Sequence, residues 1–229
     1  MGEAMGNDEA IMPFITSANI ACGFHAGDDM IMNKTILLAK KHGVAVGAHP
    51  SFFDRENFGR TEMKLSLKEI YHLVQTQIKL VKSISASHDV RLQHVKPHGA
   101  LYNMSAKDVA IAHAIALALK DYDSNLILVG LSGSQSVKEA LQLGLKTKNE
   151  VFADRTYQDD GSLTPRSQRN ALINDVSQAV EQTLQIIHKK EVTTISGKKI
   201  PVEAQTICIH GDSEHAVEIV KAINKSLTK

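Results

Sequence analysis

The chain has 229 residues, 43% of them hydrophobic and 22% charged, which places it among globular proteins and excludes a disordered or collagen-like polypeptide. Its 26 Lys and Arg against 25 Asp and Glu give a formal charge of +1, without the clustered basic excess of a nucleic-acid-binding surface. No apolar run approaches the ~18 residues of a membrane span, no secretory signal opens the chain, and Cys22 and Cys208 are too few for a disulfide framework, so a cytoplasmic protein with reduced thiols is expected.

In chain order, Ser17–Cys22 reads as a short apolar strand. Asp28 then caps a helix through Ile31, Ile36, Leu37 and Leu38 that stops at Gly43. Val44–Ala48 is the second strand, and Ser66-Leu67-Lys68-Glu69 is a capping box opening a long amphipathic helix. Arg91–Lys96 is the third strand, followed by an Ala-rich helix from Ser105 to about Lys120. After the strand Leu126–Gly130, Ser134 or Ser136 opens a helix that ends at Gly144. Glu150–Ala153 precedes a helix from Asp175 to His188, and Val192–Val202 folds back on itself around Ser196-Gly197 as a hairpin. The strand Thr206–His210 and a helix from Asp212 to Leu227 complete the chain. Six strands alternating with helices require a parallel sheet with right-handed crossovers, either open or closed into a barrel. No repeat or linker divides the chain, so one domain over residues 1–229 is expected.

The informative residues stand at the carboxyl ends of these strands, where parallel α/β proteins carry their chemistry. His25, His49, Lys96 with His98, Asp154 with Arg155, and His210 with Asp212 all fall there, and Asp28 follows the first. Side chains alternate along a strand. Setting Ile20, Val46, Val95 and Ile207 against the helices therefore turns Asn19, Gly47, His94, Lys96, Cys208 and His210 inward. One histidine at a strand end is ordinarily a packing residue, but His25, His49, His98 and His210 at matching positions point to a site. Asp28 and Asp212 serve equally well as helix caps, Asp154-Arg155 equally well as a structural ion pair, and both cysteines as buried packing. There is no G-x-x-x-x-G-K-[ST] loop, no H-E-x-x-H and no G-x-S-x-G. His94-x-x-x-His98 has ligand spacing, but Pro97 keeps it off a helix, so no metal site is assigned.

These residues resemble a known family. Gly6-Asn7-Asp8-Glu9-Ala10, Ser17 through Asp28, Gly47-Ala48-His49-Pro50, Phe58-Gly59-Arg60, His94 through Asn103, Val151 through Arg155, and Cys208-Ile209-His210-Gly211-Asp212 look like the LamB/YcsF family over essentially the whole chain. The resemblance implies a seven-stranded β/α barrel of the glycoside hydrolase/deacetylase type. Of the Asp-x-Asn-x-Asp-x-Gly-Glu pattern that opens such chains only Gly2-Glu3 is present, so the first strand and its carboxylates are expected to be missing. The edges of Ser17–Cys22 and Thr206–His210 should then be left unpaired, to be covered by Met1–Phe14 or by a second molecule. The family resemblance also implies ATP-dependent opening of 5-oxo-L-proline to L-glutamate, in a complex with 5-oxoprolinase subunits B and C and with ATP as co-substrate. Under it, Lys96 and Arg155 would stabilise negative charge, and His25, His49, His98 and His210 would move protons, with Asp154 or Asp212 orienting one of them. Two other readings fit the same residues: a metal-dependent amidase or deacetylase using His25, His49, His94 and His98, and a non-catalytic partner in such a complex.

Overall fold

A computed structural model describes residues 1–228. Its chain runs through α1 (Asp8–Ile11), a 3-10 turn (Met12–Phe14), β1 (Ser17–Ala21), α2 (Asp29–His42), β2 (Ala45–His49), α3 (Leu67–Ser87) and β3 (Leu92–Val95). It continues through α4 (Gly99–Lys107), α5 (Val109–Tyr122), β4 (Ile127–Leu131), α6 (Gln135–Gln142), β5 (Lys146–Phe152) and α7 (Val176–Lys189). The hairpin strands β6 (Glu191–Thr193) and β7 (Lys199–Pro201) follow, and then β8 (Thr206–Cys208) and α8 (Ala216–Leu227).

Six strands form one parallel sheet in the order β1-β2-β3-β4-β5-β8, and β6 pairs with β7 in a separate antiparallel ribbon. Strand order follows chain order because each helix returns the chain to the next position on the same side. The sheet is curled. Lys96, just past β3, reaches Cys208 on β8, with Nζ 3.1 Å from Sγ, although the two intervening strands, β4 and β5, could not be bridged that way in a flat sheet. The outer face carries Ile20, Val46, Ala48, Val95 and Leu128, buried against Ile36 of α2, Ile70, Val74 and Ile78 of α3, and Ile115 and Leu119 of α5. The inner face is small and polar on β1 to β3, through Asn19, Gly47 and His94, and apolar on β4 and β5, through Val129, Leu131 and Phe152. Gly47 is required there: a Cβ would lie 2.1 Å from the ring of His94, and the register between β2 and β3 shifts at this residue.

Local chemistry sets the helix ends. Asp28 Oδ1 accepts from Ile31 N at 2.8 Å, and Gly43 closes α2 in the left-handed region. Ser66 and Glu69 form the expected capping box at the head of α3. Two starts differ from expectation. Ser105 lies inside α4, its hydroxyl donating to Tyr102 O; the Ala-rich helix α5 is opened by Asp108, which accepts from the amides of Ala110 and Ile111. Asp212 does not cap α8, which begins only at Ala216 after His215; its carboxylate is drawn instead to Arg60.

Among the described residues β1 and β8 each pair with one strand, and not with each other. The segment before β1 spans the opening. Met1 O accepts from Ala21 N at 3.0 Å, Asn7 Nδ2 donates to Gly211 O at 3.0 Å, and Phe14 O accepts from Asn224 Nδ2 on α8 at 3.1 Å. Ile11 is buried against Ala216 and Val220 of α8, whereas Met12 enters the core beside Ile20 and Ile36.

Candidate active site

A cavity of about 1030 Å³ opens at the carboxyl ends of the strands and runs into the curl of the sheet. His49, Lys96, His98, Arg155, His210 and Asp212 of the sequence-derived set line it. His25 and Asp154 stand directly behind its wall, touching His98 and His210 respectively. Asp28 does not belong: it is exposed and spends its carboxylate on the α2 amide. The Asp154-Arg155 pair is likewise not an ion pair. Neighbours on an extended chain point apart, so Asp154 meets His210 while Arg155 donates from Nε to Ala171 O at 3.1 Å and from Nη2 to Thr164 O.

Three polar assemblies share the cavity. The first surrounds Lys96. Its Nζ lies 2.7 Å from Glu150 Oε1, and Tyr102 donates its hydroxyl to Glu150 Oε2 at 2.8 Å. The rings of Tyr102 and Phe152 flank the ammonium at 5.4 and 5.0 Å. Burial works against the ammonium, but the charge and hydrogen bond of Glu150, with the Cys208 sulfur accepting from Nζ, outweigh it and hold Lys96 well above the ordinary lysine range. Burial also pushes the Cys208 thiol up to about 12, which removes it as a nucleophile.

The second assembly is a carboxylate–imidazole dyad. Asp154 lies 3.0 Å from His210 Nδ1 through either oxygen, and also accepts the His210 backbone N–H at 2.7 Å. Burial would raise the Asp154 carboxyl; the His210 ring and hydrogen bonds overcome this and leave it below the ordinary aspartate value. The carboxylate fixes a proton on Nδ1 and turns Nε2 toward the cavity, the arrangement of an oriented general base. The His210 ring stacks on Phe152 at 5.5 Å.

The third is a group of histidines under the loop after β2. Asp54 organises that loop by accepting from the amides of Asn57 and Thr61, which places the Phe58 carbonyl 2.8 Å from His98 Nε2. His25 stacks on His98 with ring centroids 3.8 Å apart, and Glu3 Oε1 lies 3.3 Å from His25 Nε2. Gly59 is held in the left-handed region against them; a Cβ there would come within 2.9 Å of both His25 and His98. Burial pushes His49 and His98 well below the ordinary histidine value, with neighbouring histidines adding to it. His94 is apart from this group. It lies deeper, with Nε2 2.9 Å from Asn19 Oδ1, and burial takes it down to about 4. The spacing of His94 and His98 therefore does not make a chelating pair.

Cations dominate the mouth. Arg60 pairs with Asp212 and lies over the Phe58 ring at 4.9 Å. Arg155 and Arg166 line the same wall without a carboxylate in ion-pair contact among the described residues. Burial, and then Arg166, lower Arg155 to about 10, although Asp154 acts on it in the other direction; two arginines side by side without a directly bonded carboxylate favour an anion on this wall. Sequence reasoning missed Glu3, Arg60, Glu150 and Arg166 as site residues. Parity could have found Glu150, which shares its face with Phe152 and Asp154. Glu3 is marked only as part of Gly2-Glu3, the portion of the opening carboxylate pattern that is present, and that pattern gave it no role.

Fold and site together define a parallel β/α barrel-type protein with an ionisable cavity at the carboxyl ends of its strands. The chain belongs to the LamB/YcsF family, whose sequence pattern matches residues 1–229. It is 51% identical to the A subunit of 5-oxoprolinase from Staphylococcus carnosus (strain TM300), over 100% of this chain and 93% of that protein. Against the A subunit of 5-oxoprolinase from Bordetella pertussis (strain Tohama I) it is 49% identical, again over 100% and 93%. The crystal structure of a lactam utilization protein from Thermus thermophilus superposes with a TM-score of 0.91 at 41% identity, over 97% of this chain and 89% of that one.

Proposed function

We propose that this chain is the A subunit of a cytoplasmic 5-oxoprolinase, opening the ring of 5-oxo-L-proline to give L-glutamate together with B and C subunits and with ATP as co-substrate. The observation that carries this reading is the meeting, in one cavity, of an oriented His210–Asp154 dyad with the unpaired cations Arg155 and Arg166. 5-Oxoproline needs both: a carboxylate to be held and an amide to be opened. Relatives named as the A subunit of 5-oxoprolinase, at 51 and 49% identity, support the choice of substrate.

A five-membered lactam is a poor electrophile. Transfer of the ATP γ-phosphoryl group to the amide oxygen turns that oxygen into a leaving group. Water then adds to the carbon, the ring C–N bond breaks with a proton delivered to nitrogen to leave an acyl phosphate, and a second water releases phosphate to give glutamate. His210 Nε2 faces the cavity and fits both proton transfers, with Asp154 stabilising the imidazolium between them. Lys96, charged at any working pH, supplies positive potential where the oxyanion develops. Arg166, at the mouth, fits the substrate carboxylate.

The test is reconstitution. Purified chain, B and C subunits, ATP and 5-oxo-L-proline should release glutamate, and omission of any one should stop it. His210→Gln should lower kcat by roughly 10²–10⁴-fold, whereas Arg166→Gln should mainly raise KM for 5-oxoproline. A complete, folded mixture that produces no glutamate would overturn the proposal.

A further inference from the structure

The histidines under the β2 loop pose a problem in proton placement that the lactam reading leaves unsolved. His49 Nδ1 lies 2.6 Å from the Lys96 carbonyl, and His98 Nε2 lies 2.8 Å from the Phe58 carbonyl. A carbonyl oxygen can only accept, so each of these nitrogens carries a proton. A neutral imidazole has one N–H. The remaining nitrogens, His49 Nε2 and His98 Nδ1, are therefore bare lone pairs, and they face each other at 3.0 Å.

Two lone pairs at that distance repel unless a positive species lies between them. A shared proton would serve, but it makes an imidazolium of rings only 8% and 7% exposed, which desolvation disfavours. A metal ion accepts both lone pairs and leaves both rings neutral. A third donor is in place: Glu3, His49 and His98 each offer a ligand atom within 4.8 Å of the other two. Two nitrogens each bound to zinc at ordinary length in a tetrahedron sit about 3.3 Å apart, close to the separation seen. The outer N–H groups already rest on backbone carbonyls, the anchoring that metal-bound histidines show. His25, stacked on His98, and Gly59, packed against both, hold the ring plane.

We propose that Glu3, His49 Nε2 and His98 Nδ1 form a site for one divalent transition-metal ion, zinc by its donor set, with a further coordination position open to the cavity. Two imidazoles and one carboxylate leave such an ion able to polarise a carbonyl or acidify a bound water. The inference goes beyond the lactam reading and does not rest on it, because it concerns the isolated chain.

The test uses purified full chain, stripped with chelator and titrated with zinc chloride, and in parallel with cobalt chloride. One ion per chain should bind, and the cobalt form should show the visible absorption of mixed nitrogen and oxygen ligation. Glu3→Gln and His49→Gln should each weaken binding by at least the roughly 10–100-fold that loss of an outer-shell partner costs. His94→Gln, which removes a buried histidine outside the group, should bind as the unaltered chain does. If His49→Gln fails to fold, Glu3→Gln, altering a side chain that is 11% exposed, carries the comparison. Absence of stoichiometric uptake, with NMR showing a proton shared between the two rings, would overturn the proposal. So would Glu3→Gln binding zinc as tightly as the unaltered chain. Either failure leaves the glutamate assay, and the lactam reading, standing.

Discussion

Lys96 illustrates how a residue can be found from the sequence and its environment missed. Alternation along the strand turns Lys96 inward, and the structure places it there, in the cavity with His49 and His210. Its partner Glu150, which also accepts from Tyr102 48 positions earlier in the chain, lies on another strand, so no spacing in the sequence joins the pair. The consequence is energetic. Lys96 and Glu150 are 4% and 2% exposed, and removing one leaves the other as an uncompensated buried charge, a loss of about 3–5 kcal/mol. Lys96→Met should therefore lower unfolding stability by that amount as well as abolish turnover. Adding Glu150→Gln should recover much of the stability and none of the activity. Denaturant melts of the single and double variants check this, and equal stability of Lys96→Met and the unaltered chain would show that the pair is not coupled. The Asp154 carboxyl, held below its ordinary value of 3.8, stabilises the fold above that pH and loses its contribution as pH falls through the folded value. Asp154→Asn should flatten the acid limb of the stability profile and leave the alkaline limb unchanged.

Elements were legible where a local signal ends them. The Asp28 cap, the Gly43 stop and the Ser66–Glu69 box all stand where the chain alone puts them, because each satisfies backbone groups within one turn. Where two caps compete, the sequence misleads. Ser105 and Asp108 both precede the Ala-rich run, and Asp108 wins by accepting two amides at 2.8 and 3.0 Å. Asp212 has a cap's residue type and a helix downstream, but Arg60 from a loop 152 residues away takes its carboxylate. Tertiary ion pairing overrides local propensity in such cases. Asp28 provides the converse test: its function is confined to α2. Asp28→Ala should cost about 1 kcal/mol through the lost cap while leaving glutamate formation by the assembled enzyme intact. A large fall in kcat at unchanged stability would return Asp28 to the site.

At the scale of the molecule, the curled sheet has two ends, and the residues before β1 hold them together. The family resemblance leads to the expectation of two unpaired edges and of a covering segment, and the sheet indeed ends at β1 and β8. What that reasoning does not supply is how the cover works, because its contacts join residues about 200 positions apart. Ile11 faces α8 and Met12 faces the core beneath β1 and α2, so successive residues of one short segment grip opposite sides of the opening. Truncating Ile11 removes only one grip. Ile11→Ala should cost about 2–5 kcal/mol, the range for emptying a buried aliphatic site. The loss should fall unevenly, because β2 and β3 are hydrogen-bonded on both sides whereas β1 and β8 each have one strand neighbour. Hydrogen exchange should accelerate at Ala21, whose amide rests on Met1, and at the amides of α8, before it changes at Val46, Ala48 and Val95. Uniform acceleration through the sheet would instead mean that the opening is held by the sheet itself, and that the segment before β1 packs on the barrel without restraining it.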